Sequence, residues 1–146
     1  MNKVEPLIEL AAMPALTNQF KLKILHNNNK RFDSVKYHLI KMQEDSTKKE
    51  ITLIFEVDIS GDVLLDSMNL IHESKNCVIV MLACGGAHNA HFGVAYEKLS
   101  PITTHVTDQL IWDYRICKTQ LISVTLAYDS VSIITGDTAK EILDKS

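Results

Sequence analysis

The sequence predicts a mainly β domain: two packed antiparallel sheets forming a β-barrel or sandwich, with one flanking α-helix at about residues 62–74. Three observations carry that expectation. Apolar residues alternate with polar ones along most of the chain, as in strands with one buried face. The period becomes helical at one clear place, SGDVLLDSMNLIHESKN. Between the alternating runs lie breaks rich in turn formers, HNNNKR, EDSTKK and CGGAHN.

Taken in order, residues 1–16 read as an N-terminal arm, apolar from Leu7 through Leu10 to Leu16 and interrupted by Glu9. QFKLKIL sets Phe20, Leu22 and Ile24 against lysines, a first strand. FDSVKYHLIKMQ places Val35, Tyr37 and Leu39 on one parity, which predicts a second. EITLIFEVDI alternates without a fault, with Ile51, Leu53, Phe55, Val57 and Ile59 on the core side and Glu56 and Asp58 opposite. In the helix, Leu64, Met68 and Ile71 recur at helical spacing, and Ser60 or Asp62 offers a side-chain oxygen as N-cap. NCVIVMLAC is apolar on both faces and therefore needs cover on both. AHFGVAYEKL continues as a strand after the two glycines.

The closing stretch, QLIWDYRICKTQLISVTLAYDSVSIIT, reads as two further strands with a short link. Val106, Leu110, Trp112, Tyr114 and Ile116 share one parity, which predicts core packing for the two aromatics. Ile122, Val124, Leu126, Tyr128 and Ile134 share the parity of the next run. The opposite face carries Ile111, Leu121, Ala127, Val131 and Ile133, a second apolar set that a monomer's surface hairpin does not need. About seven strands result, in a domain at 17–135 followed by a frayed or weakly helical tail at 136–146.

The 146 residues suffice for one domain with a real core, and 46% hydrophobic with 23% charged residues excludes global disorder. The net charge of -3 argues against a basic face that grips nucleic acid, though not against a surface that nucleic acid passes. No run approaches the ~18 apolar residues a membrane span needs, so no membrane partner is expected. Three cysteines without framework spacing read as reduced thiols.

One stretch has metal-ligand chemistry. CGGAHNAH sets Cys84, His88 and His91 in a C-x3-H-x2-H spacing; thiolate and imidazole suit zinc, and glycines let a loop wrap an ion. A fourth ligand would have to come from His72, His105 or Cys77, none in a paired motif. The plainer reading is a strand-ending cysteine followed by a polar contact loop, so no metal is assigned. Cys84 beside a histidine could be a nucleophile, but no local signature supports it; ISGD and ITGD are turns and caps, not phosphate cradles. Glu56 and Asp58 could pair for acid–base work, and a solvated strand face is the commoner use of such a pair. No catalytic residue and no cofactor follow, and the chain is not expected to be an enzyme.

Three stretches resemble the tail-tube proteins of contractile and long-tailed bacteriophages. They are FDSVKYHLIKMQ with EITLIFEVDISGDVLLDSMNLIHES, the late LIWDYRICKTQLISVTLAYDSVSI, and the opening MPALTNQFKLKI. The CGGAHNAH loop has no counterpart in that pattern. The resemblance implies a structural subunit of a phage tail tube, in stacked hexameric rings around a channel. Its partners would be further copies of itself, a tail sheath if the tail is contractile, the tape-measure protein, and genomic DNA passing without specific binding. It would reside in the virion tail after assembly in the host bacterial cytoplasm. Under the same resemblance Glu56 and Asp58 would face the lumen, and Leu7, Leu10, Leu16, His88 and His91 would make contacts between subunits. The alternatives are a type VI secretion-type tube or a tail terminator or baseplate tube protein; from another class, a small metal-binding β-barrel enzyme using Cys84, His88 and His91.

Overall fold

A computed structural model describes residues 19–28, 31–84 and 90–144. The arm positions Leu7, Leu10 and Leu16, and His88 of the histidine loop, lie outside the described residues.

The described chain is a sandwich of two four-stranded antiparallel sheets. One is built from β1 (Phe20–His26), β4 (Cys77–Cys84), β5 (Ala90–Glu97) and β8 (Ser130–Thr135), in that spatial order. The other runs β2 (Leu39–Asp45), β3 (Glu50–Glu56), β7 (Leu121–Ala127) and β6 (Ser100–Pro101). The helices are α1 (Asp33–Tyr37), α2 (Asp62–Glu73) and α3 (Asp137–Asp144). Among the described residues, no helix is long and apolar enough to cross a membrane.

Alternation decides the core. Ile51, Leu53 and Phe55 of β3 stand opposite Leu126, Val124 and Ile122 of β7, and all six are buried. Leu22, Ile79 and Tyr96 meet them from the first sheet. Beneath the sheets α2 contributes Val63, Leu70 and Ile71. Each such side chain taken fully out of water contributes on the order of 1.5–3 kcal/mol.

Of the predicted barrel or sandwich the chain forms the sandwich: the sheets do not close into a barrel, and among the described residues β1, β8, β2 and β6 are edges. Five features depart from the sequence reading. The second strand begins only at Leu39: Asp33–Tyr37 is helical, because burying Phe32 and Val35 needs i, i+3 spacing and Asp66 of α2 accepts the amide of Ser34 (3.2 Å). Tyr37 consequently faces solvent instead of the core. Strand β3 ends at Glu56, so Ile59 is not a core residue but fully exposed. Gly61, at φ 81, is the N-cap position of α2, in place of Ser60 or Asp62. The capping side chain comes from further back: Asp58 Oδ1 accepts the Val63 amide (3.0 Å).

The fourth departure is at the C-terminal end, where α3 is an ordered helix. Ala139, Ile142 and Leu143 lie over Val78, Val80, Leu82 and Ala95, so the chain itself supplies the second cover that two-faced β4 demands. The fifth is the run 121–134, which is two strands in different sheets. It crosses over at Tyr128 and Asp129, whose amides bond the carbonyls of Lys49 (3.0 Å) and Glu97 (3.2 Å).

Candidate assembly surfaces

Three surfaces are built by this fold, and each arises from a local rule of the chain. The first is the outer face of the sheet containing β3 and β7. Alternation that buries Ile51, Leu53 and Phe55 turns Thr52, Ile54 and Glu56 outward, and the partner strand adds Leu121, Ser123 and Thr125. Thr52 and Thr125 share a hydroxyl hydrogen bond across the strands (3.0 Å). Strands β3 and β7 carry no lysine or arginine; Lys41, opposite Ile54 on β2, is the cation nearest this face among the paired strand residues. The face is thus mostly small, polar and weakly acidic.

Glu56 is exposed at the end of this face, opposite Leu121. Asp58 is not on the strand. It lies in the turn before α2, where the Ser60 hydroxyl (2.5 Å) and the Val63 amide hold its carboxyl below the usual carboxylate range. The two carboxylates therefore do not share a strand face, and Asp58 has a structural task of its own.

The second surface is the segment between the short 3-10 turn Thr107–Gln109 and β7. Sequence alternation predicts a strand here, and the structure has none. Amide side chains replace the ladder: Gln109 bonds the Ser123 carbonyl, amide and hydroxyl (2.9, 2.8 and 2.9 Å), and Gln120 bonds both backbone groups of Ile111 (3.0 and 2.5 Å). Arg115 closes the tip with a forked pair to Asp113 (3.0 and 2.9 Å). The loop so fixed turns its apolar residues outward. Trp112 is 84% exposed and Tyr114 110%, with Ile111 and Ile116 beside them. The predicted core role of the two aromatics is overturned, since with no ladder there is no buried face for them to occupy. The signal in the sequence was the polar side chains at Gln109, Asp113, Arg115 and Gln120, which suit a hydrogen-bonded loop better than a strand.

The third surface is the inner face of the sheet β1–β4–β5–β8, which the opposite sheet does not fully cover. Val131 and Ile133 pair with Tyr96 and Val94 and so point inward, yet Ile133 is 76% exposed. Phe92, on the same face, is 37% exposed.

The metal-type residues do not converge where they are described. Cys77 is buried on the inner face and Cys84 lies on the outer one, its thiol directed at the Leu82 carbonyl (3.7 Å). Burial pushes the Cys84 thiol up, away from a reactive thiolate. His72 and His105 are solvent-exposed, His91 falls in β5, and no group of three metal-type side chains forms among the described residues.

No protein-family model and no curated protein matches the chain. Solved structures do. The chain is similar to a subunit of the anti-feeding prophage baseplate, six-fold symmetrised (TM-score 0.57, 9% identity, 85% of this chain and 97% of that one). It is similar to a chain of the PVC extracellular contractile injection system, from the sheath–tube complex in its extended state (TM-score 0.56, 16% identity, 87% and 95%). The Hcp1 protein of E. coli EAEC 042 matches as well (TM-score 0.54, 10% identity, 83% and 94%). The chain has the fold shared by these tail-tube-type and Hcp proteins.

Proposed function

We propose that this chain is a structural subunit of a phage tail tube: it assembles into hexameric rings, the rings stack, and DNA passes through the channel. The observation that carries the reading is a complete core beside a large uncovered apolar set. One chain already buries Ile51, Leu53, Phe55, Ile122, Val124 and Leu126. It nonetheless leaves Trp112, Tyr114, Val131 and Ile133 in water, in positions its own backbone holds fixed. Residues of this kind mark contacts with other chains. Free strand edges point the same way, because joining edges between subunits turns open sheets into a closed barrel.

The fold shared with a sheath–tube complex and a six-fold baseplate supports a tube-type role and a sheath as partner. In this reading the tape-measure protein occupies the lumen during assembly in the bacterial cytoplasm, and DNA occupies it later in the virion. Glu56 and Asp58 lie at the lumen, and the subunit performs no chemistry of its own. The similarity to Hcp1 supports a type VI secretion-type tube as a second reading, and the shared fold of a baseplate subunit and a sheath/tube terminator supports a tail terminator or baseplate tube protein beside it.

Electron microscopy of the purified full-length chain tests the proposal. Rings with six subunits, stacking into tubes, are expected. A discrete small oligomer at all concentrations and salts, above all one with a stoichiometric metal, would overturn it in favour of a metal-binding β-barrel enzyme.

A further inference from the structure

The inner face of the sheet β1–β4–β5–β8 is wider than the sheet laid over it. Where β1 begins, Phe20, Met81, Phe92 and Val94 form the floor of an open slot, and Ile40 and Met42 of β2 form its wall. That wall is itself a sheet edge among the described residues, so it offers backbone groups beside the apolar floor. Beyond Val94 the strip continues to Ile133 and Val131.

We propose that this slot receives the apolar N-terminal arm, residues 7–16, of a second copy of the chain. The inference rests on the self-assembling reading above. Three observations select this occupant. Eighteen residues precede Gln19, and Gln19 itself lines the slot, so every copy presents an arm beside such a slot. The arm is apolar at Leu7, Ile8, Leu10, Met13 and Leu16, which matches the floor. Ten extended residues reach up to ~33–36 Å, enough to follow both slot and strip.

Geometry favours a neighbour's arm over the chain's own. The Gln19 carbonyl accepts the Cys84 amide (3.0 Å), which extends the β1–β4 pairing up to the slot's end. A reversal within Thr17 and Asn18 would lay the arm along the free edge of β1, in the plane of the sheet, and not over its inner face. An arm arriving from another copy meets no such constraint, and each copy can give one arm and take one, which makes an open chain or a ring.

Cysteine cross-linking in the full-length chain tests this. Ile40→Cys, at an exposed position, is combined with Leu7→Cys, Leu10→Cys or Leu16→Cys, one arm position at a time, in a Cys84→Ser, Cys117→Ser background. Mild oxidation is expected to give a ladder of covalent multimers from at least one pair, at least tenfold above single-cysteine controls, which can form only dimers. An intrachain product would overturn the proposal by assigning the slot to the chain's own arm. No cross-link from any of the three pairs would overturn it outright. Microscopy of the same samples separates the two readings: a ladder without tubes leaves arm exchange standing and removes the tube, whereas tubes without a cross-link do the reverse.

Discussion

Glu44 shows how much one residue can hold. It lies on β2 at an exposed edge, yet its carboxylate accepts from the hydroxyls of Tyr96 (2.9 Å) and Tyr128. Those two buried rings meet edge-on at 5.1 Å, one on β5 and the other in the crossover that follows β7, so the carboxylate of β2 ties the two sheets together at that side. Burial, with the Glu44 bond, pushes the Tyr96 hydroxyl up; the Glu44 bond first of all, then burial, pushes Tyr128 up to about 12. The sign of the pH effect follows. The unfolded chain releases these protons near pH 10, while the folded chain keeps them, so stability is whole below about pH 10 and falls as pH rises through the folded values. Thermal unfolding followed from pH 8 to 12 should show that loss, and Tyr128→Phe should flatten it. A steep alkaline decline left intact in the Tyr96→Phe, Tyr128→Phe double variant would mean that another group controls it. A second residue-scale test concerns Ser67, whose buried hydroxyl has no hydrogen-bond partner among the described residues. An unmet buried hydroxyl costs on the order of 1–3 kcal/mol, so Ser67→Ala should raise the urea midpoint or leave it unchanged, never lower it by much. Neither the clamp nor the orphan hydroxyl was legible in the sequence, because both depend on residues brought together from distant strands and helices.

Among the elements, the loop before β7 governs the surface chemistry. Its two glutamines do what strand pairing would otherwise do, and they fix the backbone while leaving Trp112 in water. Trp112 is the only tryptophan of the chain, so its fluorescence reports this loop alone. Dilute subunits should emit at long wavelength, and assembly should shift the emission to the blue as a neighbour excludes water. Gln109→Ala should weaken assembly without changing the far-ultraviolet signal of the sandwich, since the core strands do not depend on that side chain. Emission that stays red in formed tubes would show that the loop is not a contact. Element by element, what the sequence made legible follows one physical division. Strands β1, β3, β4 and β5 and helix α2 were readable because burial on one face, or on two, writes itself as a period. The 109–117 segment alternates just as well, but alternation records only which residues are apolar, not whether a partner strand exists. Helix α1 was missed because Phe32 and Val35 can be read at either period over so few residues. The cover that α3 gives β4 was hidden because a short amphipathic tail looks alike whether it docks or frays. Of the assembly surfaces, the apolar opposite face at Ile111, Leu121, Val131 and Ile133 was legible as a question, and three-dimensional placement was needed to show which parts the chain leaves open.

On the scale of the whole molecule, the open sandwich fixes what a lumen can be made of. If rings close through strand edges, a barrel needs one face turned to the channel, and the face of Thr52, Ser123, Thr125 and Glu56 is the mostly polar one, with Ile54 and Leu121 as its apolar members. A wall of that character suits DNA transit, because each cation added would bind a phosphate through counterion release and hold the strand in place. Repeated around a ring and along a tube, one carboxylate per subunit sets a continuous negative potential. Glu56 is the cleaner position for testing this. Replacing Asp58 by lysine also removes the oxygen that accepts the Val63 amide at the start of α2. The expected outcome for Glu56→Lys is therefore normal folding and normal tubes, since the side chain is exposed and makes no hydrogen bond that the sandwich depends on. DNA release from particles built of that variant should be slower, and slowest at low salt, where phosphate attraction is least screened. Asp58→Lys should instead lower the melting temperature first, and only then slow release. Release from Glu56→Lys particles at the unaltered rate, at every salt concentration, would place this face on the outside of the tube and leave another sheet surface to line the channel.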